Sequence, residues 1–230
     1  MNINLQNQNK IKILSPQEAQ KIAAGEVVER PSRVVKDMIE NSIDAGANQI
    51  SLYIEKSGKD LIRVVDNGEG MSSDDAKICF VPHATSKITS LEDLEKILTF
   101  GFRGEALATI SAVSKVLLKT KHKDDKNDLG LKLELVDGKI LNEEKISCSA
   151  GTDLQIRNLF YNTPVRKKFL KQDETEWNQI LNVFNAFCLS NLEIHFKLFR
   201  DNKLVLSAPN VENIKSRVSQ LWGHNFSQNL

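Results

Sequence analysis

Between Pro31 and Met71 the hydrophobic period changes once, and that change narrows the available folds more than any other feature of the chain. After Pro31, the residues Val34, Val35, Met38, Ile39, Ser42 and Ile43 recur at the spacing of a helix that buries one face. Proline suits a first helical turn, where its missing N–H leaves nothing unpaired. The pattern stops at Ala45-Gly46, where glycine can take a left-handed C-terminal conformation. From Gln49 the period becomes two. Gln49 to Glu55 and Leu61 to Val65 read as strands joined through Ser57-Gly58-Lys59.

The rest of the chain continues in the same mixed manner. Ser15-Pro16-x-Glu18 predicts an earlier helix, capped by serine and closing near Gly25. Short helices are expected at Ser72 or Ser73, at Ser90 and after Gly104, with strands at Lys115 to Lys121, Leu131 to Val136 and Asp153 to Arg157. A long helix from Glu174 to Leu189 offers Trp177, Ile180, Leu181, Phe184 and Phe187 to a core. A hairpin over Glu193 to Leu206 turns at Asp201-Asn202, and a last helix from Val211 to Trp222 ends at Gly223. Strands and helices without regular β-α-β alternation predict an α+β sandwich, a largely antiparallel sheet covered by helices on one face.

Composition sets the outer limits. A chain of 230 residues has room for one large domain and the start of another. With 40% apolar and 27% charged residues it can fill a core. A formal charge of +1 gives no global field for nucleic acid, so DNA contact requires a local patch. Cys79, Cys148 and Cys188 stand far apart with no C-x-x-C pair, which predicts free thiols rather than a disulfide framework or zinc site. The polar N-terminus resembles no secretory leader, and no apolar run reaches membrane-spanning length. A soluble cytoplasmic protein with no membrane partner is the expectation.

Three constellations carry chemistry. On the helix after Pro31, Asp37 and Asn41 stand four residues apart and share a face, with Glu40 and Asp44 beside them. A carboxylate and a carboxamide there can orient water and complete the shell of a hard cation such as magnesium. The same pattern fits an amphipathic helix with a solvated acidic face. Next, Asp66-Asn67-Gly68-Glu69-Gly70-Met71 leaves an apolar strand with two glycines that let backbone approach a ligand. Asp66 can accept a hydrogen bond from an exocyclic amine such as that of adenine; a plain turn fits equally well. Last, His83 to Leu107 holds Thr85, Ser86 and Lys87, then Gly101 and Gly104 flanking an arginine before a helix start suited to phosphate. No Walker loop occurs, and a flexible glycine loop capping a helix is the alternative.

Taken in order, IAAGEVVERP (22–31), ENSIDAGA (40–47), DNGEGM (66–71), HATSKI (83–88), GFRGEAL (101–107) and FYNTPVRKKFL (160–170) closely resemble MutL-type mismatch repair proteins, members of the GHKL ATPase superfamily. The resemblance covers roughly residues 14 to 170. It implies the Bergerat-type two-layer sandwich, ATP and Mg2+ as ligands, and a role for each matching residue. Asn41 would hold the magnesium. Asp66 would bind the adenine amine, with Gly68, Gly70 and Met71 shaping the base pocket and Thr152 nearby. Thr85, Ser86 and Lys87 would form part of a lid, and Gly101, Phe102, Arg103 and Gly104 would wrap the phosphates. Arg166, Lys167 and Lys168 offer a weak, local DNA contact or a solvated basic turn.

One position departs from the family. Its general base is normally a glutamate four residues before the asparagine, and here Asp37 stands there. A withdrawal of roughly an ångström can cost about a hundredfold in rate, out of the roughly hundred- to ten-thousandfold that a general base supplies. Glu40 lies about 100° around the helix from Asn41 and cannot substitute simply. The resemblance therefore implies a weak magnesium-dependent ATPase switch that dimerises on binding ATP and relays a signal from a mismatch-recognition protein. The alternative is a nucleotide-binding scaffold with little hydrolysis. By domain, 1–14 reads as a flexible arm, 15–208 as the ATP-binding domain, and 209–230 as the beginning of a truncated second, transducer-like domain.

Overall fold

The computed structural model describes residue 18 and residues 28–85, 104–126 and 129–227. The helix after Pro31 runs over Pro31–Asp44 (α1) with proline in its first turn. Its end closes as expected: Gly46 takes φ +71°, while the Gly46 N–H donates to Ile43 O at 2.9 Å and the Ala47 N–H to Ser42 O at 3.1 Å. This paired closure satisfies carbonyls that the helix itself leaves orphaned.

Eight strands follow as β1 (Gln49–Glu55), β2 (Leu61–Asp66), β3 (Lys115–Lys121), β4 (Leu129–Val136), β5 (Lys139–Ser147), β6 (Gly151–Arg157), β7 (His195–Arg200) and β8 (Lys203–Ala208). They form one sheet in the order β5-β4-β3-β6-β2-β1-β7-β8. All neighbours are antiparallel except β1 and β7. The helices are α2 (Ser73–Ile78), α3 (Ala106–Ala112), α4 (Pro164–Phe169), α5 (Asp173–Ser190), α6 (Ile214–Trp222) and α7 (His224–Ser227). Buried residues alternate along β1 and β3, so the sheet turns one face to the helices. On the other face Tyr53 and Phe199 stack at 4.4 Å, with the Arg63 guanidinium 5.0 Å from the Tyr53 ring centre.

The core lies between α1, α5 and the sheet. Val34, Val35, Met38 and Ile39 of α1 are buried, as are Trp177, Ile180, Phe184 and Phe187 of α5. Each such side chain contributes on the order of 2 kcal/mol through removal from water. Phe184 meets Phe196 edge to face at 5.7 Å, locking α5 onto the centre of the sheet. Arg217 of α6 is fully buried and donates to the carbonyls of Ala208 at 2.7 Å, Leu192 at 2.9 Å and Ile194 at 2.9 Å. Carbonyl oxygens thus offset the desolvation of its charge.

Besides the four-residue α7 and a single 3-10 turn at Lys56–Gly58, two elements were not expected from the residues. The edge strand β5 is exposed along most of its length, so its sequence carries no apolar alternation. The six-residue helix α4 buries nothing, which leaves no periodic signal. The helices expected from Ser15 and from Ser90 lie outside the described residues, apart from Glu18, which is helical.

Candidate active site

Because β1 and β2 form the hairpin that follows α1, the end of β2 brings Asp66 beside the last turns of that helix. The Ser42 hydroxyl of α1 donates to Asp66 Oδ2 at 2.8 Å, and the Gly68 N–H donates to Asp66 Oδ1 at 3.0 Å. On the opposite side Asp66 pairs with Thr152 across β2 and β6, and Thr152 pairs with Thr120 across β6 and β3. Burial raises the Asp66 pKa above its ordinary value, opposed by the Ser42 hydroxyl and the backbones of Gly68 and Thr152. A half-buried carboxylate held by these donors keeps lone pairs for a further donor such as an exocyclic amine.

The loop after Asp66 is fastened on both sides. The Glu69 N–H donates to Ala45 O at 2.9 Å, and the Lys123 N–H donates to Glu69 O at 2.8 Å. The Met71 N–H donates to Thr120 Oγ1 at 3.0 Å, and that hydroxyl donates to Gly151 O at 2.9 Å. Gly70 takes φ +68°, and a Cβ there would stand 2.0 Å from Lys121 O. A Cβ on Gly68 would stand 2.8 Å from Ala45 O. Only glycine fits either place without moving backbone.

One and a half turns before Ser42, Asp37 projects from α1 at 7% exposure. Arg33 Nε lies 3.3 Å from Asp37 Oδ1. Among the described residues, Asp37 Oδ2 is buried without a hydrogen-bond partner. Burial pushes the Asp37 pKa up to about 6, with Arg33 acting against it. At neutral pH such a group is largely ionised and can take a proton from water. Asn41, one turn on, is half-buried. Glu40 pairs with Lys36 at its own side of the helix.

Among the described residues no group of three or more His, Cys, Asp or Glu is arranged to hold a metal. A hard cation at Asn41 would therefore need oxygens from a ligand and water as well as the carboxamide. The orphaned Asp37 Oδ2 and the neighbouring Asn41 fit such a shared shell.

Of the remaining expected residues, Thr85 and Gly104 are described, and the segments that carry them meet. The His83 N–H donates to Gly104 O at 3.1 Å, and a Cβ on Gly104 would stand 2.3 Å from Ala84 O. Ser86, Lys87, Gly101, Phe102 and Arg103 lie outside the described residues. Arg166, Lys167 and Lys168 sit on α4 beside the exposed Val165 and Phe169.

Two site residues escaped the reading of motifs. Ser42 looked like part of the apolar face of α1, yet its hydroxyl holds Asp66. Thr120 follows Val116 and Leu118 on the buried side of β3. A single polar residue on an otherwise apolar strand face was the available signal.

Residues 29–156 match the family model described as histidine kinase-, DNA gyrase B- and HSP90-like ATPase. The chain is 48% identical over 222 residues to the DNA mismatch repair protein MutL of Thermodesulfovibrio yellowstonii, covering 96% of this chain and 40% of that protein. It is 46% identical over 215 residues to the MutL protein of Koribacter versatilis, covering 94% of this chain and 33% of that one. Among solved structures, the Aquifex aeolicus MutL ATPase domain complexed with ADP superposes with TM-score 0.67 at 34% identity, covering 85% of this chain and 70% of that domain. A crystal structure of the N-terminal domain of a DNA repair protein gives TM-score 0.78 at 29% identity, covering 92% and 62%.

Proposed function

Because the chain belongs to the MutL family of DNA mismatch repair proteins and to its GHKL ATPase region, we propose that it is an ATP-binding and slowly hydrolysing magnesium-dependent switch. The observation that carries this reading is the meeting of Asp66 and α1 through Ser42 at 2.8 Å. It supports the reading by holding the Asp66 carboxylate against the same helix that carries Asp37 and Asn41. Asp66 takes the adenine amine, Gly68, Gly70 and Met71 line the base, and Thr152 stands opposite. Gly101, Phe102, Arg103 and Gly104 hold phosphate, and Thr85, Ser86 and Lys87 belong to the lid. Asn41 holds Mg2+, which when bound neutralises phosphate charge. Asp37 Oδ2, with a lone pair unspent, accepts the proton of the water that attacks the γ-phosphorus as the β–γ bridge breaks.

ATP acts as a switch because the γ-phosphate makes contacts that only a closed state offers. In this reading two copies associate on binding ATP. The closed pair then passes a signal from a mismatch-recognition protein to strand removal, with weak DNA contact through Arg166, Lys167 and Lys168. Work on DNA in the cytoplasm follows from the same reading. We also retain 1–14 as an arm, 15–208 as the nucleotide-binding domain and 209–230 as the opening of a second domain.

Calorimetry with ATP and magnesium, run beside steady-state turnover, tests the proposal. Binding heat together with slow turnover that Asp37→Asn reduces supports it, and no heat overturns it. A second reading, a nucleotide-binding scaffold, is favoured by the short side chain of Asp37. It requires tight binding with turnover at background and no response to Asp37→Asn.

A further inference from the structure

Asn67 lies between two residues of the proposed adenine pocket, yet its side chain turns away from its own loop. Its Oδ1 accepts from the Asn48 N–H at 3.1 Å and the Gln49 N–H at 2.9 Å, and its Nδ2 donates to Asn48 Oδ1 at 2.7 Å. The partners are 19 and 18 residues earlier in the chain, so this is no local turn capping its own backbone. They are also firmly placed. The Asn48 carbonyl accepts from the His195 N–H at 2.9 Å, and Gln49 pairs with His195 where the parallel β1–β7 ladder begins.

We infer that Asn67 is the positioning residue that aims the Asp66 carboxylate, by fastening the turn after β2 to the start of the parallel ladder. The inference rests on the adenine reading of Asp66 given above. The neighbouring contacts fix the turn's height over α1, since the Glu69 N–H reaches Ala45 O at 2.9 Å and Gly68 lies too near Ala45 to leave room for a Cβ. Ser42 steadies one oxygen of Asp66 from α1. The β1–β2 ladder already pairs Asp66 with Ile50, and Asn67 carries that tie one residue beyond the ladder, onto Asn48 and Gln49 where β1 meets β7. A carboxamide suits the task because it donates and accepts from one planar group. The three bonds are solvent-exposed, so their loss shifts the turn rather than stranding buried donors, and the effect on affinity is moderate.

The test compares ATP with GTP, each with magnesium, by calorimetry on the full chain. GTP carries a carbonyl where ATP carries the exocyclic amine, so ATP alone reports where Asp66 points. Asn67→Ala is expected to raise the ATP Kd about fivefold while GTP stays within about twofold. Asn67→Asp keeps both acceptances from the backbone N–H groups, and is expected to retain the ATP preference. Equal weakening of both nucleotides by Asn67→Ala, or no weakening of ATP, overturns the inference. Should Asn67→Ala fail to fold, Asn67→Asp decides: a kept preference supports the role and a lost one overturns it. Asp66→Ala separates the two levels. If it leaves ATP binding unchanged, the adenine reading itself falls; if it removes ATP preference while Asn67→Ala does not, only the role of Asn67 falls.

Discussion

Asp66, set against α1, and Asp37, carried by it, are both carboxylates, but their surroundings are built differently. Asp66 takes hydrogen bonds from Ser42 and Gly68, and its loop is tied to Ala45, Thr120 and Lys123. Asp37 has one exposed arginine beside it and one buried oxygen with no partner among the described residues. Fixed, satisfied groups suit recognition of a ligand, which asks for constant geometry. An under-satisfied carboxylate suits proton transfer, which asks for a group ready to change its charge. Under the proposed function, nucleotide binding would rest on a redundant framework and turnover on a single, shortened side chain.

The most severe way to break that contrast is Gly70→Ala. Its Cβ would stand 2.0 Å from the Lys121 carbonyl at φ +68°, so the loop must leave β3. A loss of ATP binding beyond detection, with destabilisation on the order of 3 kcal/mol, is expected, read by calorimetry and thermal melting. Unchanged affinity would show that the loop does not shape the base pocket.

Asp66→Ala removes the acceptor and leaves the framework. The ATP Kd should rise about thirtyfold, the usual scale for a hydrogen bond to a charged group. The melting temperature without nucleotide should move far less than for Gly70→Ala.

Asp37→Asn sharpens the comparison from the other side. Turnover is expected to fall about tenfold, less than for a well-placed base, because the aspartate already falls short. The ATP Kd should stay within about threefold. In the wild-type chain, turnover should rise as pH passes through about 6, where Asp37 loses its proton. Stability should move the other way. The folded-state pKa exceeds the ordinary 3.8, so ionisation costs the folded state nothing below about pH 4 and its full amount above about 6. Asp37→Asn removes that cost, and about 2 kcal/mol of added stability at pH 8 is expected from denaturant titration. Lower stability at pH 8 would contradict the buried-charge account.

Far from both carboxylates, Leu141 on the edge strand β5 is 68% exposed. Leu141→Ser should change stability by less than about 0.5 kcal/mol and leave nucleotide affinity alone. A larger change would mean that the outer sheet supports the site.

Much of the fold was legible because period and punctuation agreed. Pro31 and Gly46 bracket α1, and Asp201 and Asn202 take φ 47° and 64° in the turn expected of them. The edge strand β5 was not legible from alternation, yet Asp137-Gly138 before it takes φ 52° and 72°, a hairpin turn that the dipeptide itself advertises. The residues of the proposed site were nameable from motifs, but their supports were not. Ser42, Asn67 and Thr120 act through contacts 24, 19 and 49 residues away in sequence. No local spacing encodes such a contact; only the folded sheet brings the partners together.

A structure of the chain with an ATP analogue and magnesium would test the central claim most directly. The account predicts the exocyclic amine about 3 Å from the Asp66 carboxylate, with the triphosphate running toward Asn41 and Asp37. An adenine bound elsewhere, or one whose amine faces away from Asp66, would contradict it.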